Sequence, residues 1–244
     1  MNDGTGLRGR RVLITGGVRR LGRAFALAMA AEGANVIVTT RTLDASSAGT
    51  VLELQKHTPR SSAVTCDVTD PEHVVRAVAE AAGLLGGIDV LINNAGIFEV
   101  DRLEELTARQ WDAMYATNTR GPFLVAQAAL PHLRAANGEG RIINIGSLGG
   151  LKPWVTHGHY CASKAALHML SQTMAKAWAP EVSVNCIAPG MIVFPGDESR
   201  VTAKTPVGRD GSPEDVVSAV LYFAKAPSFI TGQVLAVDGG LSLA

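Results

Sequence analysis

The chain has 244 residues, 22 basic and 22 acidic side chains, and an apolar content of 47%. That length allows one large α/β domain or two small ones, and that apolar share supports a substantial core and excludes a disordered chain. Zero formal net charge gives no long-range pull toward nucleic acid or a membrane surface, and no apolar run nears the roughly 20 residues of a membrane span. The first residues, Met1 to Arg11, lack the apolar stretch of a signal peptide. Cys66, Cys161 and Cys186 are odd in number and widely spaced, which argues against a disulfide framework or a zinc site and fits a reducing cytoplasm. Cys161 reads as a small helix-packing residue, with a reactive thiol as the alternative.

In chain order, Val12-Leu13-Ile14 predicts a short strand that ends in Thr15-Gly16-Gly17. Leu21, Ala24, Phe25, Ala28 and Met29 then repeat at helical spacing. A strand, a glycine turn and a helix N-terminus together suit a pyrophosphate, with Gly16 and Gly22 allowing close backbone approach, and a purely structural turn is the alternative for the two glycines taken alone. A middle glycine is expected between them, and Arg20 stands there. The second strand, Asn35 to Thr39, leads into Thr40-Arg41-Thr42. No carboxylate is present there to hold a ribose 2′-hydroxyl, as an NAD site requires. Arg41, joined by Arg20, would instead grip a 2′-phosphate, so the sequence favours NADPH over NADH. The alternative is that Arg41 is a solvated charge at the strand end.

Ser62 to Cys66 predicts the third strand, ending in Asp67, and Asp70-Pro71 opens a helix as N-cap and first helical residue. Asp89 to Asn93 predicts the fourth strand, followed by the small and amide residues Asn94-Ala95-Gly96. A helix is expected from Thr107 to about Gly121, with a kink at Pro122 and continuation to about Asn137. Asn118 within it is either a solvated helix residue or the holder of a water at a site. Arg141 to Ile145 predicts the fifth strand, Ala162 to Ala177 a helical run, Ser183 to Ala188 the sixth strand and Val234 to Val237 the last. Ser212 and Pro213 open a further helix. Residues 191–211 form the longest segment without a periodic pattern, a length typical of lids over a site. Seven strands alternating with helices predict a single domain over 1–244, α/β, with a Rossmann-like doubly wound parallel sheet and helices on both faces.

The chemistry concentrates between Ser147 and Lys164. Ser147 follows the fifth strand, at the edge where open α/β sheets bind ligands. Tyr160 and Lys164 are four residues apart and share one helical face. A hydroxyl, a phenol and an ammonium converging there suit proton exchange with a carbonyl-derived oxygen, and the lysine charge is expected to lower the phenol pKa; the alternative on spacing alone is that Tyr160 caps a surface helix and Lys164 is a solvated side chain. Trp154, His157 and His159 lie between them; Trp154 either packs or shapes a pocket, and the histidines either cap the helix or line that pocket. No histidine and carboxylate spacing points to a catalytic metal. Asp197 and Glu198 read as solvated loop charges.

Together these residues resemble the short-chain dehydrogenase/reductase family along nearly the whole chain. The resemblance is carried by Thr15 through Gly22, Asp67, Asn93-Asn94-Ala95-Gly96, Asn118, Ser147, Tyr160 through Lys164, Asn185 through Gly190, and Val237-Asp238-Gly239-Gly240, all in the family's order. It implies an NADP(H)-dependent oxidoreductase of the CH–OH type, with a small-molecule substrate and a homotetramer or homodimer. Its catalytic set transfers to Asn118, Ser147, Tyr160 and Lys164. Tyr160 is then the general acid, Ser147 positions the oxyanion, Lys164 tunes the phenol and holds the nicotinamide ribose, and Asn118 holds a water. Cofactor contacts are implied for Gly16, Arg19, Arg20, Leu21, Gly22, Arg41, Thr42, Asp67, Val68, Asn94, Ala95, Gly96, Tyr160, Lys164, Pro189, Gly190 and Ile192.

Two branches of the family compete. Arg20 in the glycine loop, Phe98 after Asn93-Asn94-Ala95-Gly96, Ala179 through Val182 and Ile192 through Pro195 look like the pteridine-reductase branch, in which a flat ring stacks on Phe98. This implies substrate contacts for Phe98, Trp154 and Phe194. Ser147 stands where that branch often has an aspartate, and resembles instead the ordinary carbonyl reductases, including 3-oxoacyl-carrier-protein reductases. The net acidic segment Phe98 to Glu105 disfavours docking of an acidic carrier. A dinucleotide sensor without chemistry is a third reading, disfavoured by the complete catalytic set.

Overall fold

The computed structural model describes residues 6–197 and 205–244. Its strands are Arg11–Ile14 (β1), Asn35–Thr40 (β2), Ser62–Thr65 (β3), Val90–Asn93 (β4), Gly140–Ile145 (β5), Val182–Pro189 (β6) and Val234–Val237 (β7). They pair in parallel throughout, in the order β3-β2-β1-β4-β5-β6-β7. Parallel strands need helical crossovers, and these cover both faces. The helices are Arg20–Ala31 (α1), Ala45–Gln55 (α2), Pro71–Leu85 (α3), Ala108–Tyr115 (α4), Gly121–Arg134 (α5), Gly158–Trp178 (α6) and Pro213–Lys225 (α7). The Rossmann-like doubly wound sheet read from the sequence is therefore the observed fold.

Strand alternation divides the core into two layers. Val12, Ile14, Val36, Val38, Val90 and Ile92 point to one side and pack with Phe25 and Met29 of α1 and Val216, Val220 and Phe223 of α7. Leu13, Ile37, Leu91, Ile142 and Val184 point to the other and pack with Val74 and Val78 of α3, Val125 and Leu133 of α5, and Met174 of α6. Phe25 is fully buried; replacing such a ring by alanine costs about 3–5 kcal/mol. The two layers hold the carboxyl ends of β1, β4, β5 and β6 rigidly side by side, and the functional side chains stand on those ends.

Asp70 caps α3 by accepting from the backbone N–H groups of Glu72 and His73, with Pro71 in the first turn. Ser212 and Asp215 form a capping box on α7. One helix, α2, gives a weak periodic signal: only Ser47, Thr50 and Leu54 are buried along it. Its start is marked by Asp44, whose side chain accepts from Ser47 N–H. The break in the long helical run falls before Pro122 rather than at it. Residues Ala116–Arg120 form a π-helical turn between α4 and α5, and the helix ends at Arg134 rather than near Asn137. Helix α6 begins at Gly158, four residues earlier than the apolar pattern indicates, so Tyr160 and Lys164 both lie within it.

Candidate active site

The sheet order reverses between β1 and β4, and open α/β sheets bind ligands at such a crevice. Thr15 and Asn94 join its two walls. Thr15 Oγ1 accepts from the N–H groups of Asn94 and Ala95, both at 3.0 Å, while Asn94 Nδ2 donates to the carbonyls of Thr15 (3.0 Å) and Gly16 (3.1 Å). Gly16 has φ +63°, and a Cβ at Gly22 would lie 2.2 Å from the Gly16 carbonyl oxygen. The loop thus closes onto itself at a point only glycine fits. Arg19, at the N-cap of α1, makes no side-chain cap, and no acidic residue occupies the first turn. The free N–H groups at that helix start fit a pyrophosphate.

Arg20 occupies the expected middle-glycine position with φ +46°. That left-handed conformation costs an ordinary side chain about 1–2 kcal/mol. It also turns the guanidinium away from β2. Arg20 lies over the Phe194 ring, 4.1 Å from its centroid, and pairs with Asp197 at 3.0 Å. The expected partnership of Arg20 with Arg41 is therefore not formed. Arg19 is the glycine-loop arginine that reaches the β2 side, pairing at 3.3 Å with Asp44. Arg41 and Thr42 are exposed just beyond β2. The Arg41 charge helps to hold the Asp67 carboxyl below its usual range, behind the larger effect of hydrogen bonds from Thr69. Val68 is buried, and a Cβ on Gly121 would come within 2.9 Å of its methyl, so its side chain belongs to the core. Leu21 likewise packs on the core.

At the neighbouring strand ends, Gly190 N–H bonds the Val237 carbonyl, and its bare α-carbon lies against Asp238. Pro189 closes β6, and Ile192 forms a bridge with Gly211, so the two ends of the 191–211 segment are pinned together. Glu198 and the middle of that segment, 198–204, lie outside the described residues. Asp197 is an exposed loop charge, as expected, and it pairs with Arg20 at the surface.

The expected catalytic set converges. Asn118 sits on the π-helical turn, fully buried. Its Oδ1 accepts from Ile97 N–H at 2.9 Å, and its Nδ2 donates to the Ile97 carbonyl at 3.0 Å and to Ser163 Oγ at 3.2 Å. The extra residue of the turn points this amide at the loop after β4, a use of π-turns common at functional sites. A Cβ on Gly96 would stand 3.1 Å from Asn118 Oδ1 and 3.6 Å from Lys164 Nζ, which places both beside the same bare backbone. Lys164 Nζ donates to the Ile145 carbonyl at 2.8 Å and lies 5.9 Å from the Tyr160 ring centroid. Burial lowers the Lys164 pKa to about 8.

The Tyr160 pKa differs from the sequence expectation. Burial raises it, and a hydrogen bond with Ser147 only partly opposes that rise. The physical reason is that the ring is buried, which penalises the phenolate, and Lys164 does not lower the phenol's pKa enough to offset that. Ser147 Oγ accepts from Gly149 N–H at 3.1 Å, and Ser147 N–H donates to His168 Nε2 at 3.4 Å. Burial holds His168 near pKa 4, so its ring is neutral and can accept. Sequence reading missed His168, since nothing in the chain near it marks a site.

Phe98, Trp154, His157 and Tyr160 form an aromatic group over this set. Phe98 stacks on His157 and meets Tyr160 edge-on, each at 4.8 Å between centroids, and Trp154 stacks on Tyr160 at 6.1 Å. Phe98 remains 52% exposed, so its outer face is open to a ligand. Phe194 stands apart from this group, under Arg20. His157 holds the N-cap position of α6 but makes no capping bond; its ring is drawn onto Phe98 instead. Cys161 is half-buried with its thiol pKa raised by burial, in keeping with packing. Glu99 and Asp101 also come together with His159, which lies 58 residues beyond Asp101 in sequence, where no spacing announces it.

Comparison with known proteins places these features. A family profile described as enoyl-(acyl carrier protein) reductase matches residues 17–242. The 3-oxoacyl-[acyl-carrier-protein] reductase of Thermotoga maritima is 35% identical over 96% of this chain and 98% of its own. A short-chain type dehydrogenase/reductase from Mycobacterium marinum superposes with TM-score 0.91 at 34% identity, over 99% of this chain and 98% of the other. The gluconate 5-dehydrogenase of Burkholderia cenocepacia, solved with NADP and tartrate, superposes with TM-score 0.91 at 33% identity over 99% and 98%.

Proposed function

The chain belongs to the short-chain dehydrogenase/reductase family, and from that premise we propose that it is an NADPH-dependent oxidoreductase acting on a small carbonyl or pteridine-like substrate, and on the corresponding alcohol in reverse. The observation that carries the reading is the convergence of Ser147, Tyr160, Lys164 and Asn118 on one strand edge beside a glycine loop shaped for a pyrophosphate. When bound, the dinucleotide supplies or accepts the hydride. Everything else is done by this chain.

The crevice between β1 and β4 holds the dinucleotide: α1 faces its pyrophosphate, Gly16 and Gly22 admit the backbone, Asp67 meets the adenine side, and Asn94, Ala95 and Gly96 line the ribose path. Arg41, flanked by Thr42 and Arg19, meets the 2′-phosphate, since no carboxylate stands at 40–42 and the next one along, Asp44, is paired with Arg19. The NADP-bound gluconate dehydrogenase of the same fold supports this choice. Pro189, Gly190 and Ile192 close the nicotinamide end.

Tyr160 donates its phenolic proton to the oxygen that gains charge as the carbonyl is reduced. Ser147, which sits close enough to Tyr160 to oppose the rise in its pKa, positions that oxygen. The raised pKa of Tyr160 keeps the proton on the phenol before reaction, as reduction requires. Lys164 then stabilises the phenolate left behind, and Asn118 holds the Ile97 backbone and a path toward solvent. Phe98, Trp154 and His157 make an aromatic wall for a ring substrate, with Phe98 and His157 stacked and Trp154 edge-on to both.

A 3-oxoacyl-carrier-protein reductase is the second reading, favoured by the Thermotoga maritima relative. The segment after β4 weighs against it: Glu99, Glu104 and Glu105 are exposed, and the nearby Arg102 is paired with Glu104. The test is NADPH oxidation measured over a panel of small ketones, quinonoid pterins and acetoacetyl thioesters. Turnover on cyclic carbonyls or pterins above thioesters supports the first reading; preference for acetoacetyl thioesters supports the second; no oxidation of NADPH or NADH with any of them defeats both.

A further inference from the structure

The three donors beside the aromatic group take no part in the chemistry above. Glu99 and Asp101 lie on the segment after β4, and His159 lies in the first turn of α6, next to Tyr160. His159 is fully buried, yet neither of its ring nitrogens has a hydrogen-bond partner among the described residues. Buried polar groups in folded proteins are nearly always satisfied, so such an imidazole calls for a ligand. Its Nε2 lies 3.8 Å from Asp101 Oδ2. That is too long for a hydrogen bond. It is close to the ~3.4 Å that separates two ligands each about 2.1 Å from one tetrahedral ion. One donor atom from each of Glu99, Asp101 and His159 lies within 4.8 Å of the others.

We propose that Glu99, Asp101 and His159 form a binding site for a divalent metal ion, zinc above all. Two carboxylates and a neutral imidazole balance the charge of a divalent cation, and a nitrogen donor with oxygen donors suits zinc better than magnesium or calcium, which prefer oxygen alone. A water completes the coordination on the open side, where Glu99 is exposed. The surroundings are built to orient the ligands: Gln110 Nε2 donates to Asp101 Oδ2 at 3.0 Å, and Asp101 N–H donates to the Thr156 carbonyl at 3.0 Å. Such outer bonds hold a ligating carboxylate in place. The ion acts as a clamp. It ties the segment that carries Phe98 to the helix that carries Tyr160, and so fixes the aromatic wall of the substrate cleft. It does not touch the reacting atoms, and its binding does not depend on which substrate is used.

The full chain, stripped with EDTA and exchanged into chelator-free buffer, is titrated with zinc chloride by calorimetry and by thermal denaturation. The expected result is one equivalent bound with micromolar or tighter affinity, and a melting temperature that rises with zinc concentration. Asp101→Asn and Glu99→Gln, at half-buried and exposed positions, each weaken binding by about tenfold or more, and His159→Asn does the same. If His159→Asn does not fold, the other two variants carry the decision. Binding no tighter than millimolar overturns the proposal. So does zinc affinity unchanged in Asp101→Asn and Glu99→Gln, which would place the ion elsewhere, for example on Cys161.

Discussion

Lys164→Met separates what the buried ammonium does for the reaction from what it does to the fold. The wild-type residue is 5% exposed, and its Nζ has the Ile145 carbonyl as its hydrogen-bond partner. Burial brings its pKa from 10.5 to about 8. At about 1.36 kcal/mol for each pH unit, holding that charge inside costs the folded protein about 3 kcal/mol at pH 7. Methionine fills nearly the same volume without a charge, but leaves the Ile145 carbonyl without its donor, which costs back about 1 kcal/mol. The net gain is about 2 kcal/mol, or a rise in melting temperature of about 4–8 °C for a chain of this size. The gain depends on pH in a fixed direction. Between about 8 and 10.5 the unfolded chain keeps the lysine proton and the folded protein does not, so wild-type stability rises through that window. The variant's advantage is therefore complete at pH 7 and shrinks toward pH 10.5. Thermal melts of both proteins without dinucleotide, at pH 7 and pH 10, read this directly, and turnover at pH 7 should fall in the same variant. A variant that melts below wild type at pH 7, or an advantage that does not shrink with pH, refutes the reasoning.

Arg41→Asp removes the cation expected at the 2′-phosphate and adds a charge that repels it. Its Kd for NADPH should rise by about 10–100-fold while that for NADH changes by less than about threefold; equal losses, read by fluorescence titration, would remove Arg41 from the site. Gly22→Ala places a methyl 2.2 Å from the Gly16 carbonyl oxygen. Forcing the loop open costs about 1–3 kcal/mol, and both a lower melting temperature and lost dinucleotide binding are expected; unchanged binding would mean the loop does not cradle the cofactor. The zinc titration of the Glu99, Asp101 and His159 cluster belongs with these, since it tests a different part of the cleft.

The strands were legible because parallel, doubly covered strands are largely apolar on both faces, and the β1, β4, β5 and β6 runs are mostly so, with Arg141, Asn144, Ser183 and Asn185 among the buried polar exceptions. Helix starts at Asp70 and Ser212 were legible because capping is a local matter of one side chain and its next three residues. Helix α2 was not, because a surface helix that buries little beyond Leu54 has almost no apolar stripe. The π-helical turn at Asn118 was not, because Pro122 signals a disturbance without saying on which side the ladder absorbs it. Adjacent arginines in the glycine loop could not be told apart in sequence. The positive φ of Arg20 sends the two side chains to opposite walls, and only the backbone shows that. The spacing of Tyr160 and Lys164 gave their shared face correctly, but the direction of the phenol's pKa depends on burial, which the spacing does not report. The Glu99, Asp101 and His159 cluster has no local signal at all, because it is assembled by the docking of one loop on one helix turn.

The account rests on Tyr160 as the group that exchanges the substrate proton, and Tyr160→Phe tests it most directly. With the substrate that wild type turns over best, the variant should lose about 10²–10⁴-fold or more in kcat while its Kd for NADPH stays within about twofold. A variant that retains turnover within tenfold of wild type, with NADPH still bound, would contradict the role given to Tyr160 and the mechanism built on it.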